Sequence, residues 1–321
     1  VKIETDQRQA LLQAAEAARY APSVHNTQPW NWILSGNTLE LHADSGRQLT
    51  AQDPDAHMLL LSCGAALHHA EVALAADGWQ FSVDRPAGTP LAVIHLRQQG
   101  PVDPLSVRRF EQLPERHTDR RAVGDEPVVP GVLDLLVEVA EQNGTRLDVL
   151  RQEHMIELAV VVEHALKAQS ADEDLQRETV AWVGGDRTSG TGIPDASLPQ
   201  ELPLTTVAER DFGARGTLAA GAGHDTTATY AILYGEGDEP ADWIRAGEAL
   251  NAVWLAAAEH DVTLLPLSSA TEVPFAREEL RRLIGHVGFP YLVLRFGTKA
   301  ADAGPARTPR MPIDQIIDIR D

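Results

Sequence analysis

Ala21-Pro22-Ser23-Val24-His25-Asn26-Thr27-Gln28-Pro29-Trp30 is the stretch on which the reading of this chain turns. It follows a short apolar pattern at helical spacing and runs into a strand-like segment, Trp30 to Leu34. Pro22 and Pro29 restrict the backbone at its two ends and push the residue before each away from helical geometry. Between them, Ser23, His25, Asn26, Thr27 and Gln28 crowd donors and acceptors together without one fixed charge. Asn26 and Gln28 each offer a carbonyl oxygen and an NH2 group, which suits the edge of a flat heterocycle with alternating donors and acceptors. The same composition serves an ordinary helix-to-strand connection, so the loop taken alone leaves both readings open.

The totals narrow the field. A chain of 321 residues, 43% apolar and 23% charged, fits one large soluble globular domain or two small ones. Its formal net charge of −20 argues against nucleic acid or an acidic membrane as the main partner. An anionic cofactor would need a local cluster of arginines to overcome that field. No apolar run reads as a bilayer span. The start, Val1-Lys2-Ile3-Glu4-Thr5-Asp6, has no signal-peptide core behind its first charge, and beginning at Val points to residues upstream. Cys63 is the single cysteine, in the apolar setting Leu59-Leu60-Leu61-Ser62-Cys63-Gly64, and reads as a core residue rather than a nucleophile. A cytoplasmic protein is expected.

Taken in order, Thr5 to Tyr20 has a helical stripe, and Trp30–Leu34 with Thr38–His42 reads as a hairpin around Ser35-Gly36-Asn37. Asp53-Pro54 opens a long helix to about Asp77, apolar nearly all round from Met58 to Leu74 and therefore buried. Strands are expected over Trp79–Val83 and Leu91–Leu96, and Pro101–Pro114 reads as a junction. Arg116-His117-Thr118-Asp119-Arg120-Arg121 then places three arginines within six residues of a strongly acidic chain. Helices are expected over Gly131–Gln142, Glu153–Lys167, Asp172–Trp182, Asp242–Glu259 and Glu278–Ile284. The expected strands are Thr145–Leu150, Thr226–Tyr234, Val262–Leu267 and Pro290–Phe296. From Gly184 to about Asp225 periodicity dissolves into Gly, Thr, Pro, Asp and Ser, which reads as a functional lid or a disordered segment. Gly184-Gly185 and Gly221-Ala222-Gly223 could serve as its hinges.

The order helix, strand, helix occurs twice: Gln7 to Trp32 compares with Gly131 to Leu150, each followed by a long helix. The opening stretch resembles the Pro-Ser-x-x-Asn-x-Gln-Pro-Trp loop of the nitroreductase superfamily, and Arg116-His117-Thr118-Asp119-Arg120 resembles that family's Arg-x-Ser-x-Arg. The first half carries the loop without the arginines; the second carries the arginines without the loop. The fused halves, the Gly-rich middle segment, Ala-Pro-Ser-x-His-Asn-x-Gln-Pro-Trp and the Pro309-Arg310 tail are most similar to the Acg branch of actinobacteria. Met311 departs from the second arginine common there.

The resemblance implies an α+β fold of mixed sheets covered by helices. It implies a pseudo-dimer of a first half, 1–112, and a second half, 113–321, and hence a monomer with one FMN site. It further implies that Arg116, Thr118, Arg120 and Arg310, with Arg307 as a second choice in the tail, serve the FMN phosphate. Pro22, Ser23, His25, Asn26 and Gln28 would reach the isoalloxazine and ribityl groups, and Pro266 and Leu267 would lie against the ring. Two functions are expected of such a protein. One is an oxidoreductase passing hydride from NAD(P)H through FMN to nitro or quinone acceptors; the other is a weakly active FMN store with the lid closed. No catalytic side chain is required, because the cofactor carries the chemistry. No Gly-x-Gly-x-x-Gly follows a strand, and no P-loop, His-Glu-x-x-His or Gly-x-Ser-x-Gly occurs. The twelve histidines show no paired metal spacing on a helix face.

Overall fold

The computed structural model describes residues 2–213, 216–219, 225–300 and 307–320. The chain opens with α1 (Lys2–Ala18), the hairpin β1 (Trp30–Ser35) and β2 (Thr38–Ala43), α2 (His57–Ala76), β3 (Trp79–Asp84) and β4 (Ala92–Gln99). After α3 (Pro104–Gln112) come α4 (Pro130–Gln142), β5 (Arg146–Val149), α5 (Met155–Ser170) and α6 (Glu173–Trp182). A long aperiodic segment leads to β6 (Thr229–Gly235), α7 (Pro240–Glu259), β7 (Val262–Leu267), α8 (Ser269–Glu272), α9 (Pro274–Leu283), β8 (Phe289–Thr298) and β9 (Ile317–Arg320). The expected glycine hinge at Gly221-Ala222-Gly223 lies outside the described residues.

The strands form two sheets, ordered β3-β4-β2-β1-β9 and β7-β8-β6-β5. Setting β1 against β5, β2 against β6, β3 against β7 and β4 against β8 makes the two orders identical apart from β9. Every corresponding pairing is antiparallel in both sheets. Helices α2 and α7 pack against each other in the middle, each also touching its own sheet, and α1 and α4 cover them in corresponding places. The contact between α2 and α7 is reciprocal, as a two-fold axis demands. A Cβ on Gly64 would lie 1.9 Å from Ile244 O, and one on Gly247 would lie 1.9 Å from Leu61 O. Only glycine lets the two backbones approach so closely. Asn251 and His68 hydrogen-bond at 2.8 Å and stand 183 positions apart, the same spacing that relates Gly64 to Gly247 and Leu61 to Ile244.

The correspondence differs from the one expected. The counterpart of α2 is α7, not a helix directly after β5. Between β5 and β6, where the first half has a two-residue turn, the chain inserts α5, α6 and the aperiodic segment. Other departures have local causes. α2 begins at His57 because Ala56 takes a left-handed conformation and Asp53 reaches over it to accept from Met58 N and Leu59 N. The expected junction contains α3, capped by Asp103 accepting from Leu105 N and Ser106 N. By length and hydropathy, contrary to expectation, α2 could cross a membrane, but 83% of it is buried within the protein. The short strand β9, Ile317-Asp318-Ile319-Arg320, is not expected from its four alternating residues; it pairs in parallel with β1, far away in sequence.

Candidate functional site

The motif loop owes its shape to strain held by partners. His25, Asn26 and Gln28 all have positive φ, at 46°, 55° and 50°. That conformation is uncommon outside glycine and, when retained, marks a functional constraint. Ser62 of α2 pins the loop, accepting from Val24 N at 3.1 Å while donating to Met58 O. Ser23 Oγ accepts from Gln28 N at 2.9 Å. The strand β9 draws the tail back across the loop, so Asn26 Nδ2 donates to Pro309 O, and Arg310 donates to Asn26 Oδ1 and Tyr20 O.

Pro22, Ser23, His25, Thr118 and Arg120 run along a cleft with two contrasting ends. One end is walled by apolar side chains of α2, α7 and β7, among them Leu61, Trp254, Pro266 and Leu267. The other brings together Arg116, Arg120 and Arg310 with Asn26, Ser197 and Thr308, and among the described residues no carboxylate lines it. Arg116 is buried, donates to Tyr20 O at 3.1 Å and lies 4.4 Å over the Trp254 ring. Burial, then the charge of Arg310, pulls its pKa well below the ordinary arginine value. Burial likewise pulls Arg120 and Arg310 down to about 10. Arg120 and Arg310 stay cationic at neutral pH, so the cleft holds positive charge out of water. Arg116 Nε, Arg310 Nε and His25 Nδ1 are buried without partners. An anion with several acceptor oxygens satisfies such a donor set.

Two expected residues do other work. Gln28 is fully buried and lines neither end. Its Nε2 donates to Gly190 O at 2.7 Å and its Oε1 accepts from Met311 N at 3.0 Å, so the amide clamps the segment after Gly184 to the tail. Gly190 fits there because a Cβ would come within 2.6 Å of Arg310 O. Arg307 is 58% exposed and pairs with Glu115 outside the cleft.

The segment after Gly184 lies across the apolar end. Gly192 N donates to Asn26 O, and Asn26 Nδ2 donates to Gly192 O. Glu209, Arg210 and Phe212 line the cleft, and Phe212 meets the His25 ring edge-on at 5.4 Å. Arg210 donates to His25 Nε2 at 3.0 Å. Burial, then Arg210 and Arg120, lowers the His25 pKa well below the ordinary value, so the ring is neutral, with its proton on Nδ1. Glu209 pairs with Arg295, a buried arginine of β8 that also binds Asp225 and the carbonyls of Asp119 and Arg121. Arg295 thus ties the segment carrying Glu209 to the arginine segment. Its signal was present in the sequence as a lone cation inside the apolar strand Tyr291-Leu292-Val293-Leu294-Arg295-Phe296. Arg210, Phe212 and Trp254 gave no such signal. Among the described residues no cluster suited to a metal ion occurs.

No protein-family model matches the chain. It is 34% identical over 312 residues to the Mycobacterium tuberculosis protein named "Putative NAD(P)H nitroreductase Rv3131", covering 93% of this chain and 88% of that one. It is 31% identical over 319 residues to "Putative NAD(P)H nitroreductase acg" of the same organism, covering 97% and 96%. A solved structure, the FMN and NADPH-dependent nitroreductase NfnB from a Sphingopyxis strain, overlaps 66% of this chain and 99% of its own at 18% identity and a TM-score of 0.42. That overlap is too loose to weigh beside the sequence relatives. The chain belongs to the nitroreductase superfamily, and within it to the Acg type.

Proposed function

We propose that this chain binds one FMN in the cleft and acts as an oxidoreductase, taking hydride from NAD(P)H and passing it to nitro or quinone acceptors. The observation that carries this reading is the cleft's polarity: apolar at one end, three buried arginines without a carboxylate at the other. Arg116, Arg120 and Arg310 would hold the phosphate, with Thr118 beside them. Pro22, Ser23, His25 and Asn26 would follow the ribityl chain and ring edge, and Pro266 and Leu267 would lie against the ring. Bound FMN supplies the hydride chemistry; the protein's share is to bind, orient and exclude water. The names of the relatives support the nicotinamide reductant.

A second reading is favoured by one observation: Glu209, Arg210 and Phe212 lie on the apolar end and leave the ring face covered. With the lid kept there, the chain is a flavin store. Anaerobic addition of NADPH, then NADH, to the yellow protein separates the two. Bleaching within seconds supports turnover, whereas bleaching by dithionite alone supports the store. A colourless protein that takes up no FMN removes both.

We further infer that two nitroreductase-like halves are fused, dividing after α3, so that one chain supplies both sides of the site. The matching sheet orders and the reciprocal Gly64–Gly247 contact support this. A monomer with one flavin per chain is expected on sedimentation; an obligate homodimer with two complete sites per pair of halves would refute it.

A further inference from the structure

Arg210 lines the cleft already described and hydrogen-bonds side chains that line a second cavity. His25 and Phe212 face the cleft already described. Gln52, Gln169 and Glu272 line a separate crevice of about 620 Å³. The Arg210 guanidinium donates to His25 Nε2 at 3.0 Å, Gln52 Oε1 at 2.9 Å, Gln169 Oε1 at 3.0 Å and Glu272 Oε2 at 2.5 Å. These acceptors come from four separate segments: the motif loop, the loop before α2, α5 and α8. The seat is itself organised. Gln52 Nε2 and Gln169 Nε2 both donate to Glu272, which turns their oxygens toward the guanidinium. The Glu272 side chain is 2% exposed.

We propose that this seat is a binding site for planar organic cations of the guanidinium or amidinium class, which the chain fills with its own Arg210 when the lid is closed. Four acceptors spread round one flat fork match a guanidinium better than the compact point charge of an ammonium. When Arg210 leaves, the buried Glu272 carboxylate keeps its two amide donors but loses its cationic partner, and the Gln52 and Gln169 oxygens lose the guanidinium donor, an expensive state that a free cation relieves. The crevice favours such a visitor. Of five further acidic residues that line it, Asp238 and Glu278 pair with Arg277 and Arg281, and burial pushes Asp53 up to about 7; Asp55 and Asp172 leave a field that favours cations. Access to the cleft is then controlled from the crevice, because a cation in the seat competes with Arg210 and frees the lid. The proposal rests on the cofactor reading only for the lid's purpose; the seat stands without it.

The test is chemical rescue of Arg210→Ala, with methylguanidinium chloride as the probe and tetramethylammonium chloride at equal ionic strength as the control. Concentrations reach about 50 mM, above the millimolar effective concentration of a tethered side chain. In flavin-free R210A, methylguanidinium is expected to raise the melting temperature, tetramethylammonium to leave it unchanged, and Glu272→Gln in the same background to abolish the rise. In the wild-type holoprotein, methylguanidinium is expected to speed FMN release several-fold. No rise in folded R210A, an equal rise with both salts, or a rise that survives E272Q overturns the proposal. If R210A does not fold, Arg210→Gln, of similar length, is read the same way. A chain that takes up no FMN defeats the cofactor reading, and the melting experiment still decides the seat.

Discussion

Replacing Arg116 by methionine should have two effects of opposite sign. In the flavin-free chain Arg116 is buried, makes one hydrogen bond to Tyr20 O, lies over Trp254 and sits beside the like charge of Arg310. Its Nε has no partner. Replacing a buried charge by an apolar side chain of similar volume is often neutral or stabilising by about 1–4 kcal/mol. The lost cation–π contact offsets about 0.5–2 kcal/mol of that. The flavin-free R116M protein should therefore melt at the wild-type temperature or a few degrees above it. Binding moves the other way. One charge-assisted hydrogen bond to a phosphate contributes about 1.5–3 kcal/mol, so FMN should bind roughly 10- to 150-fold more weakly. Riboflavin, which lacks the phosphate, should bind about as before. Fluorescence titration with both flavins and a thermal melt of the flavin-free protein provide the measurements. A variant that loses FMN and riboflavin affinity equally, or whose flavin-free form melts well below wild type, would show that Arg116 is a structural strut and refute the anion-site argument.

Other outcomes are as specific. His25 must be neutral to accept from Arg210, and its pKa is depressed by burial and then by Arg210 and Arg120. The contribution is therefore complete above the ordinary histidine value and lost as pH falls through the depressed one. FMN release should accelerate as pH falls below the ordinary histidine value, and His25→Asn, which tolerates the left-handed backbone, should flatten that profile. Gly64→Ala and Gly247→Ala should each destabilise by about 2–4 kcal/mol and lower the melting temperature alike, since each methyl meets a carbonyl oxygen of the opposite helix; a tolerated pair would mean that the helices slide apart freely. Arg310→Ala should weaken FMN binding about 10-fold or more, while Arg307→Ala should leave it within about twofold, because Arg307 pairs with Glu115 outside the cleft. Equal losses in the two variants would move the anion site outward along the tail.

Much of this protein is legible in its sequence because the signals are local. The stripe of α1, the hairpin at Gly36-Asn37, the all-apolar α2 and the run of β7 depend on neighbours a few residues away, so periodicity and turn chemistry reveal them. The motif loop and the arginine segment are also contiguous, and the structure brings Ser23, His25, Asn26, Arg116, Thr118 and Arg120 into one cleft with Pro266, Leu267 and Arg310.

What only the tertiary structure decided is how polar groups are shared out among distant segments. Gln28 looks like a ligand residue until Gly190 and Met311 are seen to use its amide. Arg310 is the tail residue the resemblance favours over Arg307, and the structure shows the physical difference: Arg310 lines the cleft, while Arg307 pairs with Glu115 outside it. Arg210 lies in a stretch without periodicity, and its four acceptors are 41, 62, 158 and 185 residues away. A hydrogen bond leaves no trace in composition or spacing when its partners meet only through the packing of α2 against α7 and the return of the chain across its own insertion. Sequence alone supplied the family and the contiguous motifs; packing decided which amides and guanidiniums hold the segment after Gly184.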